Sequence, residues 1–129
     1  MKALTVCQPY AELLARGVKP MENRTWSTAY RGSLVIHAGK SRDWLDEGDE
    51  RRYPGMAFGA IVAVVTLYDC VRVEQLPNDL RVHEHAQGPW CWLVQNPIRV
   101  APTPARGTQG LWHVDRGLVE AAFRRQNPQ

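Results

Sequence analysis

The stretch Ala60-Ile-Val-Ala-Val-Val-Thr-Leu-Tyr68 is the most apolar run of the chain and does most to restrict what it can fold into. Its β-branched residues favour extended backbone, and a strand that is apolar at consecutive positions has no face to give to water. It is therefore expected to be a long central strand, buried at least in part on both faces. A chain of 129 residues is one domain of ordinary size, and such a domain buries roughly two thirds of its unfolded surface.

The flanking segments supply what must cover that strand. Met1 to Cys7 reads as a short first strand. A helix follows. Pro9 suits a first helical turn, Tyr10, Leu13 and Leu14 lie at i, i+3, i+4, Glu12 and Arg16 form an i, i+4 pair, and Gly17 supplies a left-handed stop. Pro20 forbids continuation, and Met21 to Trp26, if extended, turns Glu22, Arg24 and Trp26 to one face and Met21 and Asn23 to the other. Ser33 to Ala38, after Gly32, is a β-branched strand. Asp43 to Arg52 is polar, with one helical turn expected around Trp44 and Leu45. Residues 74–89 hold prolines and His83-Glu84-His85 and read as an irregular insertion. Trp90 to Gln95 is a strand with both tryptophans on one side, and Pro97 to Val100 starts another after a turn. Ala101 to Gly107 is a loop, and Gly110 to Val114 a last strand. Asp115 is placed to cap a C-terminal helix with an apolar stripe of Leu118, Val119, Ala122 and Phe123, and with Arg124 and Arg125 near its negative end. Five or six short strands, one helix near the start and one at the end, without βα alternation, predict an α+β fold with a small, mostly antiparallel barrel.

The net charge is +3, but residues 43–50 carry −5, so the remainder carries +8. Thirteen of the sixteen basic residues are arginine, and guanidinium is the better bidentate partner for phosphate. This composition favours a polyanionic partner, or equally reflects a GC-rich codon set. No apolar run reaches the roughly 18 residues of a membrane span and no secretory signal pattern is present, so the expectation is a cytoplasmic protein without membrane association. Cys7, Cys70 and Cys91 are widely spaced and are expected to be reduced and mostly buried.

The densest chemistry lies between Cys7 and Ala38. Lys19, Arg24 and Arg31 are candidate phosphate ligands, and Trp26 and Tyr10 candidate surfaces for a base. Gln8 and Tyr10 stand at the helix start, where free N–H groups favour an anion. Each has a plainer alternative: Lys19 is either a base or nucleophile with a lowered pKa or an ion-pair partner, Glu22 either a general base or a counter-ion to Lys19 and Arg24, Trp26 either a stacking surface or core. His37, inside an apolar strand, reads as a hydrogen-bonded core or cleft residue. His83 and His85 lie far from His37 and His113, so no metal site and no cofactor is predicted.

The run Gly17-x-Lys19-x-x-Glu22-x-Arg24, preceded by Gln8-Pro9-Tyr10 and followed by Tyr30-Arg31-Gly32 and Ile36-His37-Ala38, resembles the ASCH family. The resemblance continues through the Ala60 strand to Asp69, the Trp90-Cys91-Trp92-Leu93 strand and Gly110-Leu111-Trp112, and spans roughly residues 3 to 114. It implies a PUA-like β-barrel with a cleft beside the first helix, lined by the charged motif, and a role around RNA or a nucleotide. A protein partner is a further option. Some relatives are hydrolases: one branch removes an acetyl group from acetylated cytidine with the motif lysine and a threonine where this chain has Glu22, and another class has been ascribed ribonuclease activity. On that alternative Lys19 and Glu22 would be catalytic. The departure at Glu22 counts against the deacetylase, although Thr25 and Thr28 lie nearby.

Overall fold

A computed structural model describes residues 1–128. Six strands form one curled sheet: β1 (Lys2–Val6), β2 (Met21–Arg24), β3 (Gly32–Ala38), β4 (Ala60–Arg72), β5 (Trp90–Pro104) and β6 (Leu111–His113). Their order is β2-β5-β4-β3-β1-β6. Only β1 and β3 run parallel, with Lys2 opposite Leu34 and Val6 opposite Ala38; the other four pairings are antiparallel. Helices α1 (Tyr10–Ala15), α2 (Asp49–Arg52), α3 (Asn78–Arg81) and α4 (Arg116–Gln126) complete the α+β fold.

The alternation of β3 explains the layering. Leu34, Ile36 and Ala38 turn to one face, where they pack with Leu4, Val6, Val65, Leu67, Trp92 and the Ala11, Leu14 and Ala15 side of α1. Val35 turns to the other and meets Ala3, Ile61, Val100 and the Val119 and Ala122 stripe of α4. The central run of β4 serves both layers, as a strand without a polar face must. A third apolar cluster joins Met21, Cys91 and Leu93 to Leu76, with Val73 and Leu80 beside it.

Helix α1 is short but firmly tied. The Gln8 side chain replaces a cap, its Oε1 accepting the Glu12 N–H at 2.9 Å while its Nε2 donates to the Ala57 carbonyl at 2.9 Å. Gly17 ends it at φ 75°. Glu12 receives Arg16 at 2.7 Å and Arg99 at 2.6 Å. Burial pushes its carboxyl pKa up, but the hydrogen bonds from Arg99 and Arg16 prevail and hold it below the usual carboxylate range.

Several local expectations are corrected. β5 is one strand from Trp90 to Pro104 rather than two strands and a loop. Three register shifts against β4 and the left-handed Asn96 (φ 53°) let it bend without ending. Its prolines are tolerated because β2 pairs only with residues 90–93, so the rest of β5 has a free edge. The helical turn of the acidic segment lies at Asp49–Arg52, not at Trp44 and Leu45. Residues 74–89 are not irregular throughout: they contain the end of a 3-10 turn (Val73–Gln75) and α3. Phe123 is 44% exposed and stands outside the apolar stripe of α4, and Asp115 precedes that helix without a side-chain capping bond. All three cysteines are free, but only Cys91 is buried. No described helix is long and apolar enough to cross a membrane.

Candidate functional site

Pro20 and β2 bring the charged motif together. Glu22 and Arg24, two apart on one strand, share a face, and Lys19 reaches the same point from the turn after α1. Lys19 is 3% exposed, and its ammonium donates to Glu22 Oε1 at 2.7 Å and to the Met21 carbonyl at 2.7 Å. Arg24 holds the other carboxylate oxygen, Nε at 3.1 Å and Nη2 at 2.9 Å. The same Nη2 donates to the Thr5 carbonyl of β1 at 2.6 Å, so the guanidinium bridges from edge strand β2 across the curl of the sheet. Both oxygens of Glu22 are therefore engaged, as a buried carboxylate between two cations requires.

These three side chains line a cavity of about 470 Å³ together with Tyr10, Trp26 and Trp44, a size typical of small-molecule sites. Trp26 lies just beyond β2 and meets the fully buried Trp92 edge to face, centroids 4.7 Å apart, while the Trp92 indole donates to the Trp26 carbonyl at 3.1 Å. One side of Trp26 is thus packing and the other is cavity wall. Tyr10 stands 6.4 Å from Trp44 and has the Lys19 ammonium 5.6 Å from its ring centroid. Trp44 is 61% exposed at the mouth. The far wall is built by residues 85–88, which Asn23 holds: its Nδ2 donates to the His85 carbonyl at 2.9 Å and its Oδ1 accepts the N–H groups of Gln87 and Gly88 at 3.1 and 2.7 Å. His85 lines the cavity with its pKa lowered by burial and then by the neighbouring Lys19 charge.

Gln8, Arg31, Thr28 and His37 lie outside this cavity. Gln8 is fully buried with its amide used by the start of α1 and by Ala57. Arg31 lies outside the cavity, 3.4 Å from Asp69 and bonded to the carbonyls of Thr28 and Tyr30. Thr25 lines the cavity, whereas Thr28 accepts the Tyr30 N–H in a turn. His37 belongs to a second cavity of about 790 Å³, which shares Thr5, Arg24 and Trp26 with the first. There His37 Nε2 lies 2.7 Å from the Ala105 carbonyl and so carries the proton, leaving Nδ1 to accept from the Thr5 hydroxyl at 3.0 Å. Burial lowers the His37 pKa against the raising effect of the Ala105 bond.

Sequence reasoning weighed His85, which lines the first cavity, only as a metal ligand, and did not reach Lys40, Arg106, Thr108 and Gln109, which line the second. The available signal was the pair of glycine-punctuated turns, Gly39-Lys40 after β3 and Arg106-Gly107-Thr108-Gln109-Gly110 before β6. Among the described residues no group of three or more His, Cys, Asp and Glu side chains is arranged to hold a metal ion.

Comparison with known proteins agrees with this architecture. Residues 4–112 match the model of the ASCH domain. Activating signal cointegrator 1 from Homo sapiens is 28% identical over 92% of this chain, and its Mus musculus counterpart 27%. The chain spans only 23% of the length of these curated relatives. Among solved structures, the ASCH protein from Zymomonas mobilis superimposes with a TM-score of 0.57 at 12% identity, covering 92% of this chain and 90% of that one. A mutant form of the same protein gives 0.58 at 12% identity, covering 93% and 94%. At that identity the likeness is one of fold.

Proposed function

The chain belongs to the ASCH domain family, and from that premise we propose that it is an RNA- or nucleotide-binding module whose ligand sits in the cavity between α1 and β2. The observation that carries this reading is the convergence of Lys19, Glu22 and Arg24 on one cavity walled by Tyr10, Trp26 and Trp44. Glu22 cancels one of the two cations, so the cavity carries one net positive charge, enough for one phosphate rather than a cluster. The remaining donor of Lys19 and the guanidinium of Arg24 are the phosphate contacts, with Asn23, Thr25 and Gln87 as polar neighbours of a base. The three rings offer stacking, which is worth about 1–3 kcal/mol per base.

The hydrolytic reading of the same cavity assigns Lys19 or Glu22 a proton-transfer role. Binding is preferred because both oxygens of Glu22 accept strong hydrogen bonds and Lys19 is engaged as a donor. Turnover of acetylated cytidine or of a short RNA by purified protein would reverse that order.

The test is fluorescence anisotropy of a labelled single-stranded RNA across a salt series. Trp44→Ala removes an exposed ring and is expected to weaken binding about tenfold. Arg24→Ala is expected to weaken it and to flatten the slope of log affinity against log salt by about 0.7, the value for one phosphate contact on a single strand. Unchanged affinity and slope in both variants would remove the ligand from this cavity.

A further inference from the structure

We infer that the second cavity, the one holding Lys40 and Arg106, is a phosphate subsite for the adjoining part of the same strand, so that the preferred ligand is a single-stranded oligonucleotide rather than a mononucleotide. This rests on the proposed nucleotide reading of the motif cavity and extends it. The two cavities share Thr5, Arg24 and Trp26, so a chain leaving the first over Trp26 enters the second directly. The second is lined by Arg24, Lys40 and Arg106 and by no carboxylate.

Arg24 is paired with Glu22, but the other two cations, Lys40 and Arg106, differ from the paired arginines of the chain and share their unpaired state with Lys2, Arg51, Arg116 and Arg124 among the described residues. Arg16, Arg31, Arg42, Arg52, Arg72 and Arg99 each have a carboxylate within 4.0 Å. Lys40 and Arg106 are exposed and have no carboxylate or hydrogen-bond partner among the described residues. Neither do the backbone N–H groups of residues 106–109 donate to a protein acceptor among those residues. Cations and unengaged amides on residues that line one concavity are the donor set a phosphodiester takes.

The wall they stand on is held in place. His37 bonds the Ala105 carbonyl, and the Ala105 N–H donates to the Gly59 carbonyl at 3.1 Å. Gly107 lies so close to the Thr5 hydroxyl and the His37 ring that a Cβ there would collide with both. Gly59, at φ +65°, leaves the space that the Lys40 stem crosses, since a Cβ would stand 3.0 Å from its Cε. A wall ordered before binding costs the ligand less than one that must order around it.

The opposite end of the motif cavity fixes the direction. Through Tyr10, Trp44 and His85 it adjoins a third cavity of about 420 Å³, whose lining sets Asp43, Asp46, Asp49 and Glu84 against the single cation Arg52. A polyanion is repelled there and drawn toward Lys40 and Arg106, so the strand continues from the motif cavity to one side only.

The experiment titrates the whole chain and a Lys40→Ala/Arg106→Ala variant with a uridine mononucleotide and with di-, tri- and hexanucleotides of both RNA and DNA, at several salt concentrations. Both replaced residues are exposed, so thermal denaturation of the variant should match the parent. The parent is expected to gain about tenfold or more in affinity from mononucleotide to trinucleotide. The variant should bind the mononucleotide like the parent, lose that gain, and show a salt slope on the longer strands smaller by about 1.4. The RNA and DNA arms decide which sugar the strand carries. Mononucleotide binding with no gain on lengthening, or an equal gain in the variant, overturns this inference while leaving the motif cavity in place. Failure of every nucleotide to bind the parent overturns both.

Discussion

The two neighbouring cavities hold their cations in opposite ways. In the motif cavity Lys19 and Arg24 are drawn into the protein and neutralised in part by Glu22, with every distance within 3.1 Å. In the adjoining cavity Lys40 and Arg106 stand in solvent without an acidic partner among the described residues. A buried cation must bring its counter-ion, because desolvation is otherwise prohibitive, whereas an exposed one can wait for a ligand at little cost. The first arrangement therefore contributes geometry and the second long-range, salt-sensitive attraction.

The largest effect expected from this contrast is on stability. Glu22→Ala leaves Lys19 buried without its carboxylate and should cost about 3–5 kcal/mol in urea unfolding. An unfolding midpoint equal to that of the parent would mean that Lys19 is not confined as described. Replacing Lys40 and Arg106 should leave the same midpoint where it is.

A smaller effect concerns pH. Burial keeps His37 neutral in the folded chain below its ordinary value of 6.5, so the unfolded chain takes up more protons there. Stability from this site is complete above pH 6.5 and is lost as pH falls from that value through the lowered folded one. His85 shifts in the same direction, from burial and the Lys19 charge. His37→Asn should remove part of the decline below about pH 6.5, and adding His85→Asn more of it. An unaltered pH profile in the double variant would contradict the burial of both rings.

The smallest effect is expected at Arg31. Its pair with Asp69, at 3.4 Å and with both side chains well exposed, is the ordinary surface kind. Arg31→Ala should cost less than about 1 kcal/mol in stability and leave RNA affinity unchanged. A tenfold loss of affinity would extend the interface beyond both cavities.

Much of the fold could be read ahead of the coordinates because the signals were local. The apolar run of β4, the Gly17 stop of α1 and the alternation of β3 each act within a few residues. The motif side chains were legible for the same reason: spacing of two on a strand places Glu22 and Arg24 together whatever surrounds them. What could not be read depended on partners distant in sequence. β5 looked like two strands and a loop because its prolines and Asn96 are breakers in isolation, while the ladder to β4 carries it through them. The insertion looked irregular because its anchor, Asn23, lies 62 residues from the carbonyl it holds.

A β-rich α+β chain, its principal strands, its first helix and the shared face of the charged motif follow from side-chain period, backbone restriction and burial, all of which are local to the chain. It took the folded chain to bring Lys40 after β3 and Arg106 before β6 into one cavity with Arg24, and to leave Gln8 and Arg31 outside the motif cavity. The reason is that a curled sheet joins residues through its hydrogen-bonded ladders, and the pairing of β1 with both β3 and β6 sets their loops side by side at no fixed interval along the chain.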